Sequence, residues 1–193
     1  MPSAITSSGA SPRSAAKASI SLNATNITAL GIDPGSTVTG WGVVRERFGR
    51  LELVANGVLR IKGNTFPERL ACIYHGLHHV IEEFRPDEVG VEQVFSAKNV
   101  MSTIKLAQAR GAAIAACASF DLPVLDYEPS LVKKTLVGTG RADKEQVAYM
   151  VARLLGQTHI EGPLDTTDAL GIALCHLTLR RFRRLEELQK AEL

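Results

Sequence analysis

Four carboxylates stand where the chain pattern brings acids together. Asp33 ends the apolar run Ala29-Leu30-Gly31-Ile32, and Glu92 ends Val89-Gly90-Val91. Strands of that composition are buried, and as neighbours they deliver both acids to one edge of a sheet, where ligands of such folds bind. Asp165 and Asp168 are three residues apart at the start of a helical stretch, so they share its first turn and one face. Each acid has a plainer use, because Asp before Pro34-Gly35 suits a turn and Asp at a helix start suits a cap. Convergence favours chemistry instead. Four carboxylates without an evident arginine beside them repel one another, and hard divalent cations neutralise such clusters. Oxygen donors select Mg²⁺ or Mn²⁺ over zinc, and two ions roughly 4 Å apart can clamp the attacking and leaving oxygens of a phosphodiester displacement.

The elements that must position these acids are legible in the periodicity. An apolar run from Thr28 ends in Gly31-Ile32-Asp33-Pro34-Gly35, and alternation continues through Val38 to Arg45 and Leu51 to Ile61, which predicts three strands joined by tight turns. Glu68 to Phe84 has a helical period that Pro86 closes. Asp87 to Glu92 and Leu122 to Tyr127 read as short strands around a long Ala-rich helix from Asn99 to Phe120. Helical stretches at Ser130 to Val137 and Lys144 to Leu155 flank Gly138-Thr139-Gly140, and a last helix runs from Asp165 to Arg184. The fold class is α/β, a mixed sheet flanked by helices.

The chain has 193 residues, 45% hydrophobic and 22% charged, which suits one domain around one core. Cys72, Cys117 and Cys175 lie far apart in apolar surroundings, so neither a disulfide framework nor a thiolate zinc site is expected, and a reducing cytoplasm is the natural location. No apolar run approaches the ~20 residues of a membrane span. The net charge of +2 comes from Arg13 and Lys17; without them 20 basic residues face 20 acidic ones, so overall charge does not point to nucleic acid. Residues 1–26 are rich in Ser, Ala and Thr and hold no acid, which predicts a disordered tail before a domain over 27–184 and a short C-terminal tail over 185–193.

Several segments then carry a resemblance. Leu30-Gly-Ile-Asp-Pro-Gly-Ser-Thr-Val-Thr-Gly-Trp-Gly-Val-Val44, Val91-Glu-Gln-Val-Phe-Ser-Ala-Lys-Asn99, Ala107-Gln-Ala-Arg-Gly111, Val137-Gly-Thr-Gly140 before Lys144, and Asp165-Thr-Thr-Asp-Ala-Leu170 resemble the RuvC crossover-junction endodeoxyribonucleases, in family order and spacing across Ala29 to Leu179. The resemblance implies a ribonuclease H-like fold with a five-stranded mixed sheet, and a homodimer that cuts four-way junction DNA symmetrically with Mg²⁺. It places the four acidic ligands on Asp33, Glu92, Asp165 and Asp168. It also implies Lys133 and Lys144 near the scissile strand, Phe95 as a junction-probing aromatic, and the branch-migration proteins RuvA and RuvB as partners. The Ser- and Ala-rich extension departs from the family pattern.

Other signals admit two readings. From Gln93 to Lys144 there are seven basic residues, among them Lys98, Arg110, Lys133 and Lys144, against four acidic ones. They are a solvated face or a surface for the phosphate backbone. Phe95 is core or a stacking surface for an unpaired base. His75, His78 and His79 read as a polar helix face, since no metalloprotease carboxylate accompanies them. His176, about two turns beyond Asp168, reaches the catalytic edge or simply packs. Arg180, Arg181, Arg183 and Arg184 read as favourable charges at a helix end. Ala107, Gly111, Ala112, Ala115 and Ala118 permit close approach by the sheet or by a second subunit. Rival functions are a ribonuclease H-like RNA-processing nuclease, an actin-like phosphotransferase, for which a second domain has no room, and a non-catalytic junction-binding module, against which all four acids stand.

Overall fold

The computed structural model describes residues 26–94 and 99–191. The elements follow in the expected order: β1 (Asn26–Asp33), β2 (Val38–Arg47), β3 (Arg50–Arg60), α1 (Phe66–Phe84), β4 (Glu88–Glu92), α2 (Val100–Ala118), β5 (Val124–Tyr127), α3 (Pro129–Val137), α4 (Lys144–Leu154) and α5 (Leu164–Ala191). The strands form one mixed sheet in the order β3-β2-β1-β4-β5. β1 runs antiparallel to β2 and parallel to β4, and β4 runs parallel to β5. The expected N-terminal tail lies outside the described residues except for Asn26, which opens β1.

Period-2 alternation sends the two sides of β1 into two cores. Ile27 and Ala29 pack with Val132 of α3, Val147 and Val151 of α4, and Leu170 and Leu174 of α5. Leu30 and Ile32 pack with Ile73, Leu77 and Val80 of α1 and with Ala109, Ala113 and Ala116 of α2. The sheet is therefore covered by helices on both faces, which is why β1 and β4 read as continuous apolar runs.

Helix boundaries follow local chemistry. Thr65 and Glu68 form a reciprocal capping box that starts α1 two residues before the periodicity does, with Pro67 tolerated in the first turn. Asn99 caps α2 by accepting from the amides of Met101 and Ser102. α5 does not stop at Arg184 but continues to Ala191, because Leu, Glu, Gln, Lys and Ala after it are all good helix formers. No helix among the described residues is long and apolar enough to cross a membrane.

α5 lies directly on β1 and β2, and two glycines permit this. A Cβ at Gly31 would sit 2.0 Å from the carbonyl oxygen of Ala169, and one at Gly40 would sit 2.1 Å from that of Asp165. No real side chain tolerates such distances, so any larger residue pushes the helix away. Gly31→Ala is therefore expected to destabilise the protein by about 1–3 kcal/mol through overpacking. Thermal unfolding followed by circular dichroism measures this, and an unchanged midpoint would show that the close approach is dispensable.

Candidate active site

Asp33 is the last residue of β1, where Pro34 removes the next ladder amide. The loop that follows is closed by buried Thr39, whose hydroxyl donates to the Gly35 carbonyl at 3.0 Å and accepts from the Gly35 amide at 3.2 Å. Glu92 is the last residue of β4. Parallel pairing of Ile32 with Val91 sets the two acids side by side, and alternation turns both to the face that α5 covers. α5 then contributes Asp165, whose backbone lies over Gly40, and Asp168 one turn further on.

Asp33, Glu92 and Asp168 line one cleft of about 260 Å³ together with Lys133 and Lys144, over an apolar floor that includes Val132, Val147 and Ile172. Lys144 opens α4, where Asp143 and Gln146 form a capping box that fixes its backbone. Its Nζ donates to Asp168 Oδ2 at 3.3 Å. Asp165 is not among the lining side chains, but it is close enough for its charge to act on both Asp33 and Lys144.

The electrostatics are those of an under-compensated cluster. Burial, followed by the charge of Asp168, pushes Asp33 up to about 6 despite its hydrogen bond with Glu92. Burial and the charge of Asp33 push Glu92 up to about 8, and Lys144 only partly opposes this. The charge of Asp168 is also the main reason that Lys144 holds its proton more tightly than an ordinary lysine. Only oxygen donors are present, and they carry more negative charge than their neighbours balance, which suits a hard divalent cation. Among the described residues no three such side chains close into a ready cage.

Three expectations take a different form in the structure. His176 is fully buried and does not reach this cleft: its Nε2 pairs with Glu88 Oε2 at 2.7 Å and its Nδ1 with the Tyr127 hydroxyl at 2.9 Å. Glu88 opens β4 and Glu92 closes it, so the histidine sits at the opposite end of the strand. Arg180, Arg181 and Arg183 lie inside α5 rather than at its end, and each donates to a specific partner: Glu88, Glu46 and the Tyr127 hydroxyl respectively. Arg110 is no free backbone-binding cation, since it bonds the Glu92 carbonyl oxygen and Asp126. His78 and His79 face Glu82 and Glu83 one turn along α1, which leaves the polar helix face as their role. Phe95 and Lys98 lie outside the described residues. The buried Glu88, His176 and Arg180 group was missed by sequence reasoning. Its signals were present: Glu88 shares a strand face with Glu92, and His176 and Arg180 are four apart on one helix face.

Acids from the ends of two adjacent central strands, joined by acids from a helix laid across them, define a nuclease of the ribonuclease H-like class. The comparisons narrow the class. The family model for crossover junction endodeoxyribonuclease RuvC matches residues 29–176. The RuvC protein of Oleidesulfovibrio alaskensis is 61% identical over 159 residues, which is 82% of this chain and 95% of that protein. The RuvC protein of Nitratidesulfovibrio vulgaris is 53% identical over 162 residues, or 84% of this chain and 97% of its own. Among solved structures, Thermus thermophilus RuvC in complex with a Holliday junction substrate superimposes with a TM-score of 0.77 at 34% identity, covering 82% of this chain and 97% of that one. The yeast mitochondrial Holliday junction resolvase, 11% identical with a TM-score of 0.62 and covering 86% of each chain, shares the fold. This chain belongs to the RuvC family of crossover junction endodeoxyribonucleases. It is accordingly an endodeoxyribonuclease of a nuclease family that is in general metal-dependent.

The raised carboxyls have a consequence for stability without metal. In the unfolded chain both ionise near the ordinary carboxylate range, while in the folded chain they hold protons up to about 6 and about 8. Between those limits the folded state binds more protons, so this contribution is fully present below about pH 4 and is lost as pH rises toward 8. Asp33→Asn removes one of the repelling charges. In EDTA, its melting temperature relative to wild type should climb steadily from pH 5 to pH 8; parallel curves would mean that neither burial nor repulsion raises the Asp33 carboxyl.

Proposed function

We infer that this chain resolves four-way DNA junctions by hydrolysing one phosphodiester bond in each of two strands, leaving 5′-phosphate and 3′-hydroxyl ends that a ligase can seal. The observation that carries this reading is the convergence of Asp33, Glu92 and Asp168 with Lys144 and Lys133 in one cleft of a RuvC-family fold. The structure of the Thermus thermophilus relative with a Holliday junction substrate supports the choice of substrate.

Asp33, Glu92, Asp165 and Asp168 are the residues that would hold two Mg²⁺ ions, with Mn²⁺ as a substitute. When bound, such ions activate a water nucleophile and stabilise the leaving 3′ oxygen. The apolar floor of Val132, Val147 and Ile172 limits water in the cleft and so strengthens each charge interaction there. Lys144, now held by Asp168, is within reach of a phosphate entering the cleft, and its charge is worth most where negative charge grows in the transition state. Lys133 lines the same cleft and supplies a second cation for the backbone. Phe95 and Lys98, on the segment just after Glu92, are proposed as further junction contacts.

Paired cuts call for two sites related by a two-fold axis, and we assign the dimer contact to α2. Val100, Ile104, Ala107, Gly111, Ala115 and Ala118 recur along one outward stripe of that helix and are exposed in the single chain. Small residues there allow a second copy to approach closely. RuvA and RuvB are the proposed partners in branch migration, and the cytoplasm is the proposed location.

Three experiments test this reading. Asp33→Asn, Glu92→Gln, Asp165→Asn and Asp168→Asn should each abolish cutting of a labelled four-way junction in Mg²⁺ while junction binding persists. Lys144→Met should lower the single-turnover rate by about 10² or more, the scale of one transition-state donor. Near-normal turnover in any acid variant removes that residue from the ligand set, and an unchanged rate with weaker binding makes Lys144 a backbone contact. For the dimer, Gly111→Glu should shift the sedimentation coefficient to that of a monomer and abolish paired cutting, whereas an unaltered dimer would place the contact on another face.

A further inference from the structure

Arg110 occupies an unusual place for a basic residue of a DNA enzyme. It lies on α2, half-buried, and its guanidinium makes two bonds within the protein. Nε donates to the backbone carbonyl oxygen of Glu92 at 3.2 Å, and Nη2 pairs with Asp126 Oδ1 on β5. Glu92 is the end residue of β4. On the β5 side Glu92 pairs with Tyr127, and the amide of the next residue, Gln93, donates to the Tyr127 carbonyl at 2.9 Å. The Glu92 carbonyl is thus tied from α2, and the same guanidinium ties α2 to β5.

We propose that Arg110 is a positioning residue for Glu92: it fixes the last peptide of β4, and with it the direction in which the Glu92 carboxylate enters the cleft. The physical case rests on what opposes that placement. Glu92 is the end residue of β4 and shares one cleft with Asp33 and Asp168, so carboxylates crowd the end of the strand. A strand end without a brace relieves that repulsion by turning its last peptide and carrying the carboxylate outward. The planar fork of an arginine holds a carbonyl and a carboxylate at once, which a lysine's single ammonium cannot do with the same geometry. The pairing with Asp126 engages the second arm of the fork within the protein.

The proposal rests on Glu92 being a metal-holding acid, and the test separates the two ideas. Arg110→Gln, Arg110→Lys and Glu92→Gln are compared in the full-length chain for single-turnover cleavage of a saturated junction, the Mg²⁺ concentration giving half the maximal rate, junction affinity, salt dependence of binding, and melting temperature. The expected result for Arg110→Gln is a rate lower by roughly tenfold to 10²-fold, the range in which small misplacements of reacting groups act. Half-saturating Mg²⁺ should rise while junction affinity changes by less than about threefold and the salt slope stays constant. Arg110→Lys should recover part of the rate. Weaker binding with a salt slope reduced by about one and an unchanged saturated rate would make Arg110 a phosphate contact and overturn the proposal. A lower melting temperature with normal rate and Mg²⁺ requirement would reduce it to a brace of the fold, which also overturns it. If Glu92→Gln itself cuts normally, the assignment of Glu92 fails instead, whatever Arg110 does.

Discussion

The architecture depends on how closely α5 can approach the β1–β2 hairpin. At Gly31 and Gly40 there is room for a helix backbone and for nothing more. That contact sets the height of the helix over the sheet, and the height decides whether acids carried by a helix can meet acids carried by strands. Asp33 and Glu92 are near each other because their strands are hydrogen-bonded neighbours, and this would hold without α5. Asp165 and Asp168 join them only because the helix lies flush. Cores on both faces of the sheet then resist the separation that repulsion among the acids favours, so packing free energy holds an electrostatically unfavourable edge in place.

The two ends of β4 show how environment divides one residue type between two uses. Glu88 and Glu92 share a strand face beneath the same helix. At Glu88 burial opposes ionisation, but hydrogen bonds and charge from His176 and Arg180 outweigh it and hold the carboxyl below its ordinary range. The pair is buried and closed to ligands. At Glu92 burial acts in the same direction, but the charges of Asp33 and Asp168 add to it and only Lys144 offers relief, so the carboxyl is pushed up. A satisfied buried acid locks α5 to β4, and an under-compensated one stands at the cleft.

The cations are divided as sharply. Arg110, Arg180, Arg181 and Arg183 are committed to carbonyls, carboxylates and a phenol within the protein, where a planar fork with several donors is an advantage. The cleft itself is lined by lysines, Lys133 and Lys144. A compact ammonium on a flexible stem can leave one carboxylate for an incoming phosphate at little cost, as an arginine held by two partners cannot.

The sequence by itself determined the element order, the strand ends on which Asp33 and Glu92 stand, the shared helix turn of Asp165 and Asp168, and, through motif order, the family. These are local properties, written in alternation, helical period and turn residues, and each needs only neighbours along the chain. It also placed Lys144 just after the glycine-rich stretch Gly138-Thr139-Gly140. What it could not decide was which residues meet across long separations. His176 read as a candidate for the catalytic edge, yet its partner Glu88 lies 88 positions away and the two meet at the other end of the strand. The arginines of α5 read as end-of-helix charges because no breaker marks the true end, and their partners Glu46 and Glu88 come from β2 and β4. Arg110 read as one of a basic series, and only the stacking of α2 against the sheet shows that it grips the peptide of Glu92. A side chain's charge is fixed by its type, but its partner is fixed by packing, and packing is a property of the whole chain folded at once.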